Sequence, residues 1–522
     1  MPKTRPYLFY DVAISICSTC YRKVEAKTVF QNDNVYLLKR CPQHGPERVL
    51  IADDIDYYRR CREVFLKPPE MPQVYNTPVK WGCPYDCGLC TDHEQHSCLT
   101  LVEICDYCNL RCPVCYAASG PERQQFRTLP QIEKMLDAVV RNEGHPDVVQ
   151  LSGGEPTLHP DFFTIVEMAK SRPIKHLMVN TNGVRIAQEE DFVKRLAEVR
   201  DDFEVYLQFD SFEREPLMQL RGADLRRVRL DALEKLNRYN ISTNLVVMLK
   251  KGLNDHEIGK TIDFALQQPC VRGVTFQPIQ DAGRLENFNP ATDRLTLTEV
   301  RRKILEQTNV FRPEDVIPVP CHPDSLAMAY ALKLAGKVVP LTSMIPPEVL
   351  INGAANTILY EQDPAVRDNL FKLFATNHSP KSGAGTLREL LCCLPKVWIP
   401  DDLCGSDTPF RQTPVAEETH LGIEGPYVGT AAPGCPVERS STATAASASA
   451  LSYENIFRII IMQFIDAHSF DVRSVKKTCV HIVHPDGRLI PFDTYNLFYR
   501  DNLETTRLAP LRQNAEAALA PI

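Results

Sequence analysis

Residues 108–115 read CNLRCPVC, so three thiols, Cys108, Cys112 and Cys115, share one short loop in a CxxxCxxC spacing. A structural zinc closes its tetrahedron with four protein ligands, whereas a metal that does chemistry keeps one position open. Three thiols this close together commit the loop to wrapping a metal and leave a coordination position for something other than protein. The spacing fits two occupants: a cubane with one iron free of protein, or a zinc knuckle that borrows a fourth ligand such as Cys105.

The rest of the cysteine pattern points the same way. Of 19 cysteines, 12 lie within residues 1–115 and are grouped in short motifs, which in an intracellular chain reads as metal or cluster binding rather than disulfides. With 44% hydrophobic and 24% charged residues the chain has a globular composition. A formal net charge of −7 gives no bulk attraction to nucleic acid or anionic lipid, so no nucleic-acid partner is expected. No run approaches the ~18 to 20 apolar residues that span a bilayer, and MPKTRPYLFYDV lacks the apolar core of a signal peptide, so a cytoplasmic location is expected.

Four regions are legible. Residues 1–72 carry CSTC (Cys17, Cys20) and CPQH (Cys41, His44) on either side of the alternating stretch VFQNDNVYLLKR, a ribbon-like mononuclear metal domain built on a hairpin. Zinc is the ordinary occupant of such a set; a rubredoxin-like iron is the sharper alternative, which His44 weakens. Residues 73–98 hold Cys83, Cys87, Cys90 and Cys98 in CPYDCGLCTDHEQHSC, four thiols able to close a shell around an auxiliary iron-sulfur cluster. Cys105 competes with Cys98 as the fourth ligand, and zinc with iron.

Residues 99–310 alternate apolar strands (LTLVEI, VVQLSGG, HLMVNTNG, VYLQFDS, TNLVVML, GVTFQPI) with amphipathic helices such as LPQIEKMLDAVVRNE. Six such repeats predict a parallel sheet with crossover helices, a partial (β/α)6 TIM-type barrel in an α/β fold with N-terminal metal-binding segments and a C-terminal α+β extension. That extension, residues 311–522, shows helical signals at LAMAYALKLAG and PAVRDNLFKLFA. A Pro-, Gly-, Ser-, Thr- and Ala-rich stretch at about 400–452 reads as a flexible insertion, and PDGR reads as a turn between two late strands.

The three-cysteine loop follows the first barrel strand, at the carboxyl end where such folds bind ligands. The second strand ends in LSGGEP, where glycines permit close approach and leave amides free, and Glu155 offers a carboxylate to an ammonium group. Asn180 and Asn182 end the third strand, Gln208 and Asp210 the fourth, and Gln277 sits in TFQPI. These polar residues lie where a pocket is expected, although NTNG equally suits an ordinary turn.

CNLRCPVC and GGEP together resemble the radical SAM superfamily over roughly residues 99–285. The resemblance implies a 4Fe-4S cluster on the catalytic Cys108, Cys112 and Cys115, with S-adenosylmethionine on its open iron. It also implies cofactor contacts from Gly153, Gly154, Glu155, Asn180, Asn182, Gln208, Asp210 and Gln277. Val114 stands where the superfamily often has an aromatic residue, and Tyr116 follows the third cysteine, so Tyr116 is the aromatic candidate against the cofactor.

The wider layout, from the N-terminal knuckle to CVHIVHPDGRLIPF, is similar to the tetraether lipid synthase group, which overlaps class D radical SAM methyltransferases acting on a dihydropterin. That likeness implies hydrogen abstraction from unactivated carbon. Its leading form is coupling or modification of membrane lipid chains at the membrane periphery; the alternative is methyl transfer to 7,8-dihydro-6-hydroxymethylpterin. Either takes electrons from a donor such as ferredoxin or flavodoxin. A third cluster near Cys321 and Cys479 would need further thiols, because Asp493 stands where another cysteine is expected. A zinc-ribbon binding protein without catalysis is the reading from a different class.

Overall fold

The computed structural model describes residues 5–64, 71–319, 321–334, 337–343 and 456–519. The N-terminal region is an antiparallel sheet of β1 (Leu8–Ile16), β2 (Lys23–Gln31), β3 (Asn34–Cys41) and β4 (Gly45–Ala52) in that order. The stretch 29–40 forms the β2–β3 hairpin. Its two turn residues, Asn32 and Asp33, both have positive φ (51° and 59°), the conformation that matches the twist of a two-residue hairpin. Helix α1 (Ile55–Glu63) follows, its first turn capped by Asp54 Oδ1, which accepts from Tyr57 N at 2.9 Å.

Six parallel strands, β5 (Leu99–Cys105), β6 (Val148–Gly153), β7 (His176–Thr181), β8 (Phe203–Gln208), β9 (Thr243–Leu249) and β10 (Val271–Pro278), lie side by side in sequence order. Helices α2 (Leu129–Glu143), α3 (Phe162–Lys170), α4 (Val184–Gln188), α5 (Glu190–Glu198), α6 (Arg214–Arg221), α7 (Arg226–Arg238), α8 (Ile258–Gln267) and α9 (Leu297–Gln307) accompany them. Helix α2 begins at a Thr128/Gln131 capping box and stops at Gly144, whose φ of 67° no further helical residue would share.

The C-terminal third adds β11 (Ile317–Pro318), β12 (Leu326–Leu334), β13 (Lys337–Pro340), β14 (Ile456–Met462), α10 (Val472–Lys476), β15 (Val480–Val483), β16 (Leu489–Pro491) and α11 (Ala509–Leu519). Strand β14 runs parallel to β10, and β15 parallel to β5. The six expected strands are therefore extended on both edges by strands distant in sequence. Beyond them β12 pairs antiparallel with β14, and β16 with β15, so among the described residues the barrel curls without closing.

Two expectations are corrected here. LAMAYALKL and IFRIIIM, the latter part of the run IFRIIIMQFI whose apolar residues equally predict a helix, are strands, not helices. In β12, Leu326, Met328, Tyr330 and Leu332 join the core inside the barrel, while Ala327, Ala329 and Ala331 join the core beneath the helices. A run buried on both faces has no polar stripe to reveal its period, and alanines and leucines fit either spacing. The helical signal at residues 364–375 and the insertion at about 400–452 lie outside the described residues.

Strand parity separates the two cores. Val102, Ile104, Val149 and Leu151 pack under the helices, whereas Leu99, Leu101, Val148, Met178, Tyr206, Val246, Ile460 and Val480 face inward. The inward set ends, at the carboxyl tips of the strands, in a cavity.

Candidate active site and metal centres

That cavity, open to solvent, is lined by Cys108, Cys112, Cys115, Tyr116, Gly153, Gly154, Glu155, Asn180, Asn182, Gln208 and Gln277. The structure thus brings together nearly every residue that the sequence marks around the three-cysteine loop. Asp210 is the exception. It is fully buried behind the cavity wall and accepts from Arg221 Nε at 2.7 Å and Nη2 at 2.6 Å, with Arg229 Nη2 at 3.6 Å. Despite burial, the Arg221 guanidinium beside Asp210 holds its carboxyl below the usual range. Asp210 therefore orients arginines rather than facing a ligand.

The loop is held from two sides. Cys115 exchanges both backbone hydrogen bonds with Arg284 (2.9 and 2.8 Å), and Arg284 Nε donates to Cys112 O at 2.7 Å. On the other side, Gly154 N donates to Cys105 O and Glu155 N to Tyr107 O, each at 2.8 Å. The amides expected to be free are thus spent on seating the loop. A Cβ at Gly153 would stand 2.1 Å from Cys105 O, and one at Gly154 2.1 Å from Tyr107 O. Both partners are backbone, so neither can yield. Burial pushes the Cys108 and Cys112 thiols up, with Arg221 pulling Cys112 the other way.

Glu155 Oε1 accepts from Thr157 Oγ1 (2.6 Å) and Thr181 Oγ1 (2.8 Å), and Oε2 from Asn182 N (2.7 Å). Burial still raises its carboxyl above the ordinary value. A relay runs along the wall from Asp210 through Arg221 Nη2, which donates to Gln208 Oε1 (2.7 Å), to Gln208 Nε2, which donates to Asn180 Oδ1 (2.8 Å). Tyr116 shares a hydrogen bond with Ser152 Oγ at 3.0 Å, and Gln277 Nε2 donates to Tyr206 Oη at 3.3 Å.

Sequence reasoning missed several lining residues. Arg221, Arg229, Gln150, Tyr206, Met462, Phe464 and Phe492 also border the cavity. Gln150 and Tyr206 were within reach, because each precedes an inward position by two residues on its strand. The two arginines sit on helices, and Met462, Phe464 and Phe492 arrive on segments whose neighbours are remote in sequence. Arg229 Nε and Nη2 are buried without a hydrogen-bond partner.

Two further groups of thiols are compact. Cys17, Cys20, Cys41 and His44 lie with their ligand atoms within 4.8 Å of one another, at the end of β1 and around the β3–β4 turn. Burial pushes the Cys41 thiol up, but the amides of Gln43 and His44 and the His44 ring outweigh it and bring it down to about 6. The second group corrects an expectation: Cys98 gathers with Cys321 and Cys479, not with the Cys83, Cys87 and Cys90 set. Cys87 lies against Cys83, with Cys90 nearby.

Residues 102–265 match the radical SAM superfamily, and residues 9–53 the HMPTM N-terminal zinc ribbon domain. The chain is a radical SAM enzyme. It is 26% identical over 527 residues, 96% of each chain, to 7,8-dihydro-6-hydroxymethylpterin dimethyltransferase of Methanocaldococcus jannaschii. It is 28% identical over 188 residues to GTP 3′,8-cyclase of Alkaliphilus oremlandii, spanning 35% of this chain and 57% of the cyclase. Among solved structures, SuiB of Streptococcus suis bound to S-adenosylmethionine is similar at 16% identity, covering 40% of this chain and 46% of SuiB, with a TM-score of 0.33.

Radical SAM enzymes carry a 4Fe-4S cluster and S-adenosylmethionine, and the residues present fit both. Three thiols open from one loop into the cavity, a buried carboxylate lies beside them, and Arg229, whose Nε has no hydrogen-bond partner, borders the same space. The ribbon set suits zinc. Superfamily membership removes the reading of a zinc-ribbon protein without catalysis. No helix among the described residues is long and apolar enough to cross a membrane.

Proposed function

We propose that this enzyme is a radical SAM methyltransferase acting on a reduced 6-hydroxymethylpterin, drawing electrons from a small donor such as ferredoxin or flavodoxin. The observation that carries the reading is the similarity to the pterin dimethyltransferase along 96% of both chains. It spans the ribbon, the barrel and the late wall strands, whereas the cyclase similarity covers 35% of this chain.

In this reading Cys108, Cys112 and Cys115 hold the cluster, and Glu155 takes the methionine ammonium. Arg229 takes the carboxylate, with Asn180, Asn182 and Gln208 along the same wall. When bound, the cluster and S-adenosylmethionine supply one-electron cleavage of the sulfonium and a hydrogen-abstracting 5′-deoxyadenosyl radical. The chain's own residues do the rest. Leu99, Leu101, Met462 and Val480 line the inner cavity with apolar surface and keep water from the reacting centre. Phe464 and Phe492 stack with ring centroids 4.0 Å apart and present an aromatic edge to the same space. Gln150, 4% exposed, joins Gln277 and Tyr206 as polar groups set in that apolar lining.

A flat heterocycle with an amide-bearing edge matches such a cavity, in which a few placed polar groups fix orientation. An alkyl chain would strip water from Gln150 and from the Gln277 carbonyl oxygen and return no hydrogen bond, at a cost of roughly 1 to 3 kcal/mol for each group left unpaired. That asymmetry supports the pterin over lipid coupling. Anaerobically reconstituted protein incubated with reductant, S-adenosylmethionine and the dihydropterin should yield methylated pterin by mass spectrometry. Deoxyadenosine release with the pterin unchanged, or cross-linked lipid from a parallel phospholipid incubation, would sink the proposal.

A further inference from the structure

Tyr116, the residue after the third loop thiol, begins a run of three rings in the cavity wall. Its centroid lies 5.1 Å from that of Phe492, which in turn stacks on Phe464 at 4.0 Å. Its hydroxyl is tied to Ser152 Oγ at 3.0 Å. Behind it, outside the cavity lining, stands Arg500, whose Cζ lies 5.2 Å from the Tyr116 centroid and 5.0 Å from that of Tyr495.

The guanidinium is held along its edges. Arg500 Nη1 donates to Glu103 Oε2 at 3.2 Å, Nη2 to Glu103 Oε1 at 2.8 Å, and Nε to Asn496 Oδ1 at 2.7 Å. Arg500 is 6% exposed and Glu103 3%. Burial opposes the charge on Arg500, and Glu103 outweighs it. Glu103 follows Leu99 and Leu101 on the inward face of β5 and pairs in register with Ser152 of β6. Two neighbouring inward positions thus hold the two parts of one tyrosine: Ser152 takes the hydroxyl, and Glu103 acts on the ring through Arg500. Packed apolar side chains of similar volume support a fold about as well as a buried ion pair does. What they lack is the flat, fixed cation that an aromatic face attracts.

We propose that Arg500, locked by Glu103, is a positioning residue that holds Tyr116 in the cavity wall, and that through this ring it sets the affinity for a flat heterocycle. Two molecules carry such a group into the cavity, S-adenosylmethionine with its adenine and, on the reading above, the pterin; only the second rests on that reading.

The test is a double-mutant cycle read as binding, by anaerobic equilibrium dialysis of the cluster-loaded full chain without reductant, first with S-adenosylmethionine alone and then with the dihydropterin added. Glu103→Gln with Arg500→Met removes both charges together, so neither is stranded. The pair variant should weaken binding of one of the two ligands about three- to tenfold, the range of a lost aromatic contact. Tyr116→Leu should weaken the same ligand, and in that background the pair change should add less than about twofold. Full additivity means that Arg500 supports the fold rather than the ring, and overturns the proposal. Parent-like binding of both ligands by the pair variant overturns it as well. If the pair variant does not fold, Arg500→Lys, which keeps the charge but loses the fork and the flat face, should repeat the pattern, and parent-like binding by that variant is then the overturning result. A parent protein that binds no pterin refutes the substrate reading alone, and the cofactor arm then decides the positioning.

Discussion

Replacing Asp493 by asparagine isolates the energetic cost of one buried carboxyl. Asp493 is 3% exposed, and its oxygens accept from Ile465 N at 2.7 Å and Thr478 Oγ1 at 3.0 Å. Burial outweighs both hydrogen bonds and lifts its carboxyl from 3.8 to about 7. At about 1.36 kcal/mol per unit, that displacement is worth about 4 kcal/mol. The folded chain holds this proton more tightly than the unfolded chain. Below pH 3.8 both states are protonated and the group costs nothing. Between 3.8 and 7 the unfolded chain ionises first and stability falls; above 7 the loss is complete. Asparagine cannot ionise, keeps an acceptor for Ile465 N, and lets the Thr478 hydroxyl turn to accept. Anaerobic urea titrations of Asp493→Asn and the parent, followed by circular dichroism, should therefore separate by about 2 kcal/mol more at pH 8 than at pH 5.5. Curves that stay parallel across that range would refute the reasoning.

Asp210→Asn leaves Arg221 and Arg229 facing each other in the wall and should cost about 3 to 5 kcal/mol, read as a lower melting temperature together with weaker S-adenosylmethionine binding in equilibrium dialysis. Gly154→Ala drives a methyl group into Tyr107 O and should abolish deoxyadenosine formation while the ribbon still binds zinc, measured by anaerobic turnover beside a zinc count. Chelation of the ribbon metal should raise amide hydrogen exchange across β1–β4 by orders of magnitude and leave β6–β9 protected, because the small sheet draws much of its order from its ligands.

How much of this was legible depends on how far each partner lies along the chain. Strands β5–β10 could be read because each is a short apolar run bounded by turn residues and followed by an amphipathic helix. The loop thiols and the tips of β6, β7, β8 and β10 were placed on one cavity because parallel strands deliver their carboxyl ends to one side. The PDGR turn was readable from its composition, and Gly487 there has a φ of 96°. By contrast β12 and β14 carry no polar face to betray their period, and nothing near Cys98 announces that its neighbours are Cys321 and Cys479. Asp210 was read as a ligand because it ends the same strand as Gln208, but with a left-handed φ of 66° it lies behind the cavity wall against the arginines.

The order of synthesis gives the split barrel a further meaning. Residues 108–115 leave the ribosome long before residues 456–483, which supply β14 and β15. Until those arrive the cysteine loop stands at the mouth of an unfinished vessel, open to whatever machinery delivers iron and sulfide. The last strands then complete the walls of the cavity while its mouth stays open to solvent, so the cysteine loop keeps a route for iron and sulfide after the chain is finished.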